Sequence, residues 1–362
     1  MNTLQKVSLA IGLLVFLLGS IQAKVNATVV WEPKSLRVFA AHTGHFYRYA
    51  PATIANGSTE QCWTCQNATE GFIKDSVYLT ERHQGRIEVN QPAITAGAPG
   101  AWDSYHVCDP SVIGGRFRFA QHLYHYALFY TGNDVNASRH NQIGVAFANH
   151  RQGPWLKCPI PLVFHADDGT WGVGQPSAVR WDKAGGVLLF YTAGDGAGTR
   201  LFCRHIRLWD TSSPNAALPH FESTPDVQLT NTGLTGANGQ PDYLNNVDVA
   251  YAPKQRRFYA VREQHPYPKD YPHYIGVSLQ LVSIAADNVW HGGGAWRVEG
   301  EIGPTLTGLP RNHNAGLLRT LAGTLPDPHH IGVIFTGSCA GPDCKVAEWS
   351  YDLWQIEGRL KP

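Results

Sequence analysis

Three acids stand where a strand-rich chain brings carboxylates together: Asp109 in Cys108-Asp109-Pro110-Ser111, Asp248 in Val247-Asp248-Val249, and Glu263 in Arg262-Glu263-Gln264-His265. Asp109 precedes a proline and follows His106-Val107-Cys108, an awkward place for a solvent-facing charge. Asp248 lies inside an apolar run, so it is either buried with a partner or exposed to a central channel. Glu263 has no turn glycine beside it, whereas Asp134 and Asp195 follow Asn or Gly at strand ends and read as turn caps. Carboxyls that converge in a poorly solvated site repel one another, and their pKa values are driven apart. One then holds a proton while another takes one, which is what acid/base chemistry requires. The expected catalytic set is Asp109, Asp248 and Glu263.

Around these acids the sequence places fixed donors and acceptors: His106, Gln175, Asn246, Arg262, His265, Asn312 and His313. Such groups suit a hydroxyl-rich ligand. Asp75, in Ile73-Lys74-Asp75-Ser76-Val77, has two readings, a further member of the site or a surface pair with Lys74. Trp63, Trp102, Trp171 and Tyr267 offer ring faces for a sugar or, equally, packing between sheets.

The elements that position these residues follow from a repeat. One motif opens each unit: Ala50-Pro-Ala-Thr-Ile54, Asp109-Pro-Ser-Val-Ile113, Gln175-Pro-Ser-Ala-Val179 and, more loosely, Val247-Asp-Val-Ala-Tyr251 and Asn314-Ala-Gly-Leu-Leu318. Stronger strands follow at 73–80, 126–131, 187–192, 257–261 and 331–336, and third strands at 142–148, 200–208, 275–284 and 347–356. Units of three or four antiparallel strands cannot bury both faces alone, but stacked radially they bury them against each other. The fold class expected is all-β, a five-bladed β-propeller. In that geometry the innermost strand of a blade starts on the face where the second strand ends, so the motif openers meet the second-strand ends Asp134, Asp195 and Glu263.

The domain reading is a signal peptide over 1–23, an N-terminal segment over 24–39 and one propeller over 40–362. Met1 to Lys6 carries one cation and no acid, and Val7 to Ile21 is an apolar run closing at Ile21-Gln22-Ala23. That pattern is a secretory leader, and it predicts a secreted or periplasmic protein with no membrane span after cleavage. Charged residues are 16% of the chain and the net charge is +1 without basic clusters, so nucleic acid is not an expected partner. Seven cysteines in an exported chain favour disulfides, with Cys62 and Cys65, and Cys339 and Cys344, each close enough to staple a small loop. Acceptor sequons begin at Asn26, Asn56, Asn67 and Asn136.

The runs Cys108-Asp-Pro-Ser-Val-Ile113, Tyr126-Ala-Leu-Phe-Tyr-Thr-Gly132, Asn141-Gln-Ile-Gly-Val-Ala-Phe147 with Gly153-Pro-Trp155, and Gly174-Gln-Pro-Ser177 through Leu188-Leu-Phe-Tyr-Thr192 resemble five-bladed-propeller glycosidases of families 43 and 32/68. The resemblance spans roughly residues 40 to 358. It implies hydrolysis of arabinosides, xylosides, galactosides or fructosides by an aspartate base, a tuning aspartate and a glutamate acid. Asp109 matches by motif and Asp248 in part; Ala50, Gln175 and Asn246 depart from the acids of that pattern. Carbohydrate is the expected partner, and the other reading is a non-catalytic sugar-binding propeller. No cofactor is expected, apart from the option of a structural calcium ion in the axial channel near His106 or His313, for which no ligand cluster has diagnostic spacing.

Overall fold

Apolar and β-branched runs broken by Gly, Asn and Asp turns fold this chain into strands almost throughout. The computed structural model describes residues 28–361 apart from 34, 40–46, 57–58, 68–73, 138, 196–197, 271–272 and 339–350. The leader, Asn26 and the Cys339/Cys344 pair lie outside the described residues, as does part of the other three sequons.

Two short strands come first, β1 (Val29–Trp31) and β2 (Leu36–Phe39). Blade one is β3 (Tyr47–Asn56), β4 (Thr59–Asn67), β5 (Ser76–His83) and β6 (Arg86–Ile94). Blade two is β7 (His106–Phe119), β8 (His122–Asn133), β9 (Gln142–Ala148) and β10 (Leu156–Lys157). Blade three joins β11 (Gly172–Arg180), β12 (Gly186–Asp195) and β13 (Gly198–Arg207) to the short β14 (Glu222–Ser223) and β15 (Val227–Gln228). Blade four is β16 (Asp248–Ala252), β17 (Arg257–Glu263), β18 (Leu279–Ala285) and β19 (Arg297–Ile302). Blade five is β20 (Arg311–Arg319), β21 (His330–Ser338) and β22 (Tyr351–Leu360), with β1 and β2 both paired to β22. The molecule is a five-bladed β-propeller. Residues 29–39, read in the sequence as a segment ahead of it, are outer strands of its last blade. Among the described residues no helix is long and apolar enough to cross a membrane.

The hydrophobic core lies between blades. Ile113 and Phe129 of blade two pack with Val187, Leu189 and Ile206 of blade three. Leu188 and Phe190 on the other side of that sheet meet Val249, Phe258 and Val282 of blade four, with the Phe190 and Phe258 rings 5.3 Å apart. A sheet apolar on both faces makes sense only in such a stack.

In blade one the structure departs from the sequence reading. The second strand is β4, Thr59–Asn67, and the strand expected near 73–80 is the third, β5. The run Thr-Glu-Gln-Cys-Trp-Thr-Cys-Gln-Asn lacks the aliphatic core of the other second strands, yet Gln61 through Asn67 is buried. That strand also rules out the expected Cys62–Cys65 staple. Residues three apart on a strand point to opposite faces, and Cys65 instead bonds Cys108 on β7, tying blade one to blade two. Cys62, Cys158 and Cys203 are free and buried.

The innermost strands share a kink. Ala50, Asp109, Gln175, Asn246 and Asn314 have φ between 40° and 53°, a region that costs a non-glycine residue roughly 1–2 kcal/mol. Ladder register slips beside four of them, between Tyr49 and Ala52, Cys108 and Ser111, Gly174 and Ser177, and His313 and Gly316. Pro51, Pro110 and Pro176 follow three of the kinks, where a residue without an N–H costs no ladder bond. The blade-four opener is therefore Asn246, and Asp248 falls two places further in, level with Ala52, Ser111, Ser177 and Gly316.

That second ring holds the blades together through Arg319, which is fully buried. Its Nη1 donates to Val249 O (2.8 Å) and Ser177 Oγ (3.1 Å), its Nη2 donates to Ser111 Oγ (3.1 Å), and Asp248 Oδ1 lies 3.2 Å away. Asp248 also accepts from Ser177 Oγ (2.7 Å) and Leu317 N (2.8 Å). Four blades meet on one guanidinium. Asp248→Ala leaves that charge buried without its counterion, and urea unfolding is expected to show a loss of about 3–5 kcal/mol. Ser177→Ala, which removes an uncharged hydroxyl bonded to both Arg319 and Asp248, is expected to cost about 1–3 kcal/mol in the same assay.

Candidate active site

The five kinked openers surround an axial cavity of about 40 Å³ that communicates with a polar cleft of about 390 Å³. Asp109, Gln175, Asn246 and Asn314 line both, and the cleft is walled by Tyr49, His106, Thr131, Asn141 and Trp171 among others. Asp109 is the carboxyl that lines both. Burial pushes it up to about 6, against the Thr131 hydroxyl and Gln175 N–H, which favour the anion; the charges of Asp75 and Glu263 push it further upward.

Glu263 ends β17 and is 1% exposed. Its Oε1 accepts from Asn246 Nδ2 (2.7 Å) and Asn314 N (2.9 Å), and its Oε2 accepts from the Tyr267 hydroxyl, itself held by Asn245 Nδ2 (2.7 Å). Burial raises the Glu263 pKa in spite of these three donors. Asn246 is oriented in turn: its Oδ1 accepts from Gln175 Nε2 and its N–H donates to Gln175 Oε1 (3.0 Å), which also accepts from Thr192 Oγ1 (2.6 Å). A polar chain thus runs from blade three to Glu263. The Asp109 and Glu263 carboxyls are brought to one end of the axis, each made a weaker acid by burial.

Asp75 joins them. It is 1% exposed and accepts from the Tyr49 hydroxyl, while its N–H donates to His106 Nδ1 (3.0 Å). Burial lowers the His106 pKa, and the Asp75 N–H donating to Nδ1 selects the ring form that carries its proton on Nε2. Lys74 is turned away, with Nζ 5.2 Å from the Tyr105 ring centre, so the surface-pair reading of Asp75 falls.

Other expected site residues lie elsewhere. Asp248 touches the axial cavity but is committed to Arg319, one layer below the openers. Arg262 is fully buried, paired to Asp242 (2.6 Å) behind Glu263, and His265 Nδ1 is 2.8 Å from the same carboxylate. Asn312 donates to Val277 O (2.9 Å) and Leu309 O (3.1 Å). His313 is enclosed against Tyr351, and burial pushes it down to about 3. These four were read as sugar contacts because polar residues cluster at strand ends; they are the buried supports of those ends. Trp63 is fully buried and Trp102 stacks on Tyr130 at 5.6 Å, which leaves Trp171 as the tryptophan of the cleft. Asp134 pairs with His140 (2.7 Å) at its turn, and Asp195 ends β12. Tyr49, Thr131 and Asn141 were missed, although Tyr49 and Thr131 flank an opener and a second-strand end in the repeat itself.

A calcium ion does not fit the axial lining. Gln175 Oε1 and Asn246 Oδ1 are occupied by neighbouring donors and Asp248 by Arg319, leaving Asp109 and Asn314 far short of the roughly six to eight oxygens calcium takes. The ligand-bearing groups that cluster are Cys65, Cys108 and Asp109, and Asp75, His106 and Cys108, with both sulfurs in the disulfide.

No family model and no curated protein sequence matches this chain. Solved structures do. The fold is that of the propeller glycoside hydrolases. A family 117 glycoside hydrolase from the marine bacterium Zobellia galactanivorans aligns over 92% of this chain and 90% of its own at TM-score 0.58 and 13% identity. The catalytic domain of a family 62 α-L-arabinofuranosidase from Coprinopsis cinerea aligns over 92% and 98% at 0.55 and 11%. An α-L-arabinofuranosidase from Podospora anserina, solved with cellotriose, aligns over 91% and 96% at 0.54 and 11%. At these identities the likeness is one of fold.

The raised Asp109 pKa carries a sign that can be measured. A carboxyl whose pKa rises from 3.8 to about 6 on folding binds its proton more tightly in the folded state. Its contribution is full below pH about 4 and is lost as pH climbs through about 6. Denaturation midpoints across that window are expected to fall with pH more steeply in the wild type than in Asp109→Asn.

Proposed function

We propose that the protein is an exported glycoside hydrolase acting on an oligosaccharide or polysaccharide, with Asp109 and Glu263 as its pair of carboxyls. The observation that carries this reading is that Asp109 lines one polar, Trp171-walled cleft while Glu263 sits directly behind the Asn246 and Asn314 that line it, each carboxyl with its pKa raised by burial. Asp109, facing the open space, takes a proton from water or a sugar hydroxyl. Glu263 holds the second proton, for delivery to the glycosidic oxygen once a sugar displaces Asn246 or Tyr267 from it. Asp75, His106 and Tyr49 fix the opposite wall, and Trp171 presents a ring face. The propeller hydrolases of similar fold, arabinofuranosidases among them, support sugar as the ligand class.

A second reading, sugar binding without cleavage, is favoured by two specific observations. Both Glu263 oxygens are engaged and Ala50 stands at an axial position where the resembled family places an acid. A panel of aryl glycosides and plant and algal oligosaccharides separates the two. Hydrolysis is expected, with a bell-shaped pH profile whose acid limb lies near 6, and with activity lowered about 10²–10⁴-fold in Asp109→Asn and Glu263→Gln. Calorimetric binding of a glycan with no product released would establish the second reading instead.

A further inference from the structure

The Cys65–Cys108 disulfide sits against the site. Cys108 immediately precedes Asp109, and the Asp109 N–H points at Cys65 Sγ (3.0 Å). Ligand atoms of Cys65, Cys108 and Asp109 lie within 4.8 Å of one another, and so do those of Asp75, His106 and Cys108. The two groups share Cys108, so five ligand-bearing side chains crowd one wall of the cleft. A second, independent feature marks the place: the Asp75 carboxyl is buried and, among the described residues, held only by neutral donors, the Tyr49 hydroxyl and the Asn67 amide. A buried carboxylate without a cationic partner is a standing cost in the oxidised protein, and a cation would offset it.

We propose that breaking this disulfide converts the wall into a binding site for a borderline-soft divalent cation of the zinc type, and that the bound ion silences the cleft. Two equivalents of a monothiol reduce the bond, giving two cysteine thiols and one molecule of the thiol's disulfide. Metal binding then expels the two thiol protons. Thiolate, imidazole and carboxylate donors are the set that zinc selects, at metal–sulfur distances of about 2.3 Å and ligand–ligand separations of about 3–4 Å. Cys65, Cys108 and Asp109 supply three ligands, and His106 or Asp75 the fourth. In the oxidised state both sulfurs are bonded to each other and only the weaker oxygen and nitrogen donors remain. The consequence for catalysis rests on the reading of Asp109 as the working carboxyl: an ion bound there withdraws it from the substrate. The cleft is thus held shut in thiol-rich surroundings and released by oxidation.

Cadmium reports such a site directly, because thiolate ligation gives a strong near-ultraviolet charge-transfer band. Full-length protein reduced and freed of reductant is expected to bind one Cd²⁺ with that band, and oxidised protein is expected to lack it. Cys65→Ser with Cys108→Ser should remove the band from reduced protein, while Asp109→Asn should weaken Cd²⁺ binding at least about tenfold. A band that persists without Cys65 and Cys108, and so arises at other cysteines, overturns the proposal. So does a reduced protein that binds no Cd²⁺, or one whose near-ultraviolet circular dichroism shows that it unfolds before binding. None of these readouts requires activity on sugars, so failure here and failure of the hydrolase reading are separable.

Discussion

A single guanidinium in the centre of the molecule sets the terms for everything around it. Arg319 enters from blade five and is bonded to serines of blades two and three, to a backbone carbonyl of blade four and to Asp248 of the same blade. A charge so deeply buried is tolerated only if paired and hydrogen-bonded. The innermost strands must therefore arrive at fixed depths, with a small residue or, in blade four, an acid two places after each kink. This requirement explains the serine of the Asp-Pro-Ser and Gln-Pro-Ser motifs, and it explains why blade four carries an acid at that level. Gly316 occupies the same level of blade five, where a Cβ would stand 2.0 Å from Pro51 O. There the inner strands of blades five and one come too close for any side chain.

Depth on the axis also divides labour among the polar residues. The outer ring, formed by the five left-handed openers, carries unlike side chains and meets the cleft. The ring beneath is committed to cohesion. Strain is retained in the outer ring because the serine, proline and arginine network below over-determines it, a common arrangement where a fold presents side chains for recognition. Glu263 is governed by the same network. Asn246 reaches it only because Gln175 holds the other end of that amide.

The repeat made the propeller legible, since each motif marks a strand start and each aromatic-rich run a second strand. It also identified the face on which Asp109 and Glu263 meet. What it could not convey was depth. Asp248 and Asn246 are two residues apart in sequence, yet one belongs to the structural ring and the other to the cleft floor, and the looser motif of blade four hid which was the opener. Arg262, His265, Asn312 and His313 look in sequence like ligand contacts because buried supports and exposed binders draw on the same polar residue types. The pairing of Cys65 with Cys108 depends on β4, whose cysteine- and glutamine-rich composition gives no aliphatic alternation to reveal a strand.

The last blade is assembled from strands far apart in the sequence, β1 and β2 lying against β22. During synthesis the first four blades can emerge and stack in order, but β1 and β2 stay unpaired until β22 leaves the ribosome. Arg319 also arrives late, so Ser111, Ser177 and Asp248 wait without it while the segments between are made. The nascent chain is an open fan with a polar, partly unsatisfied hinge. Pairing of β22 with β1 and β2 is a late event that follows the arrival of Arg319 in the axial cluster.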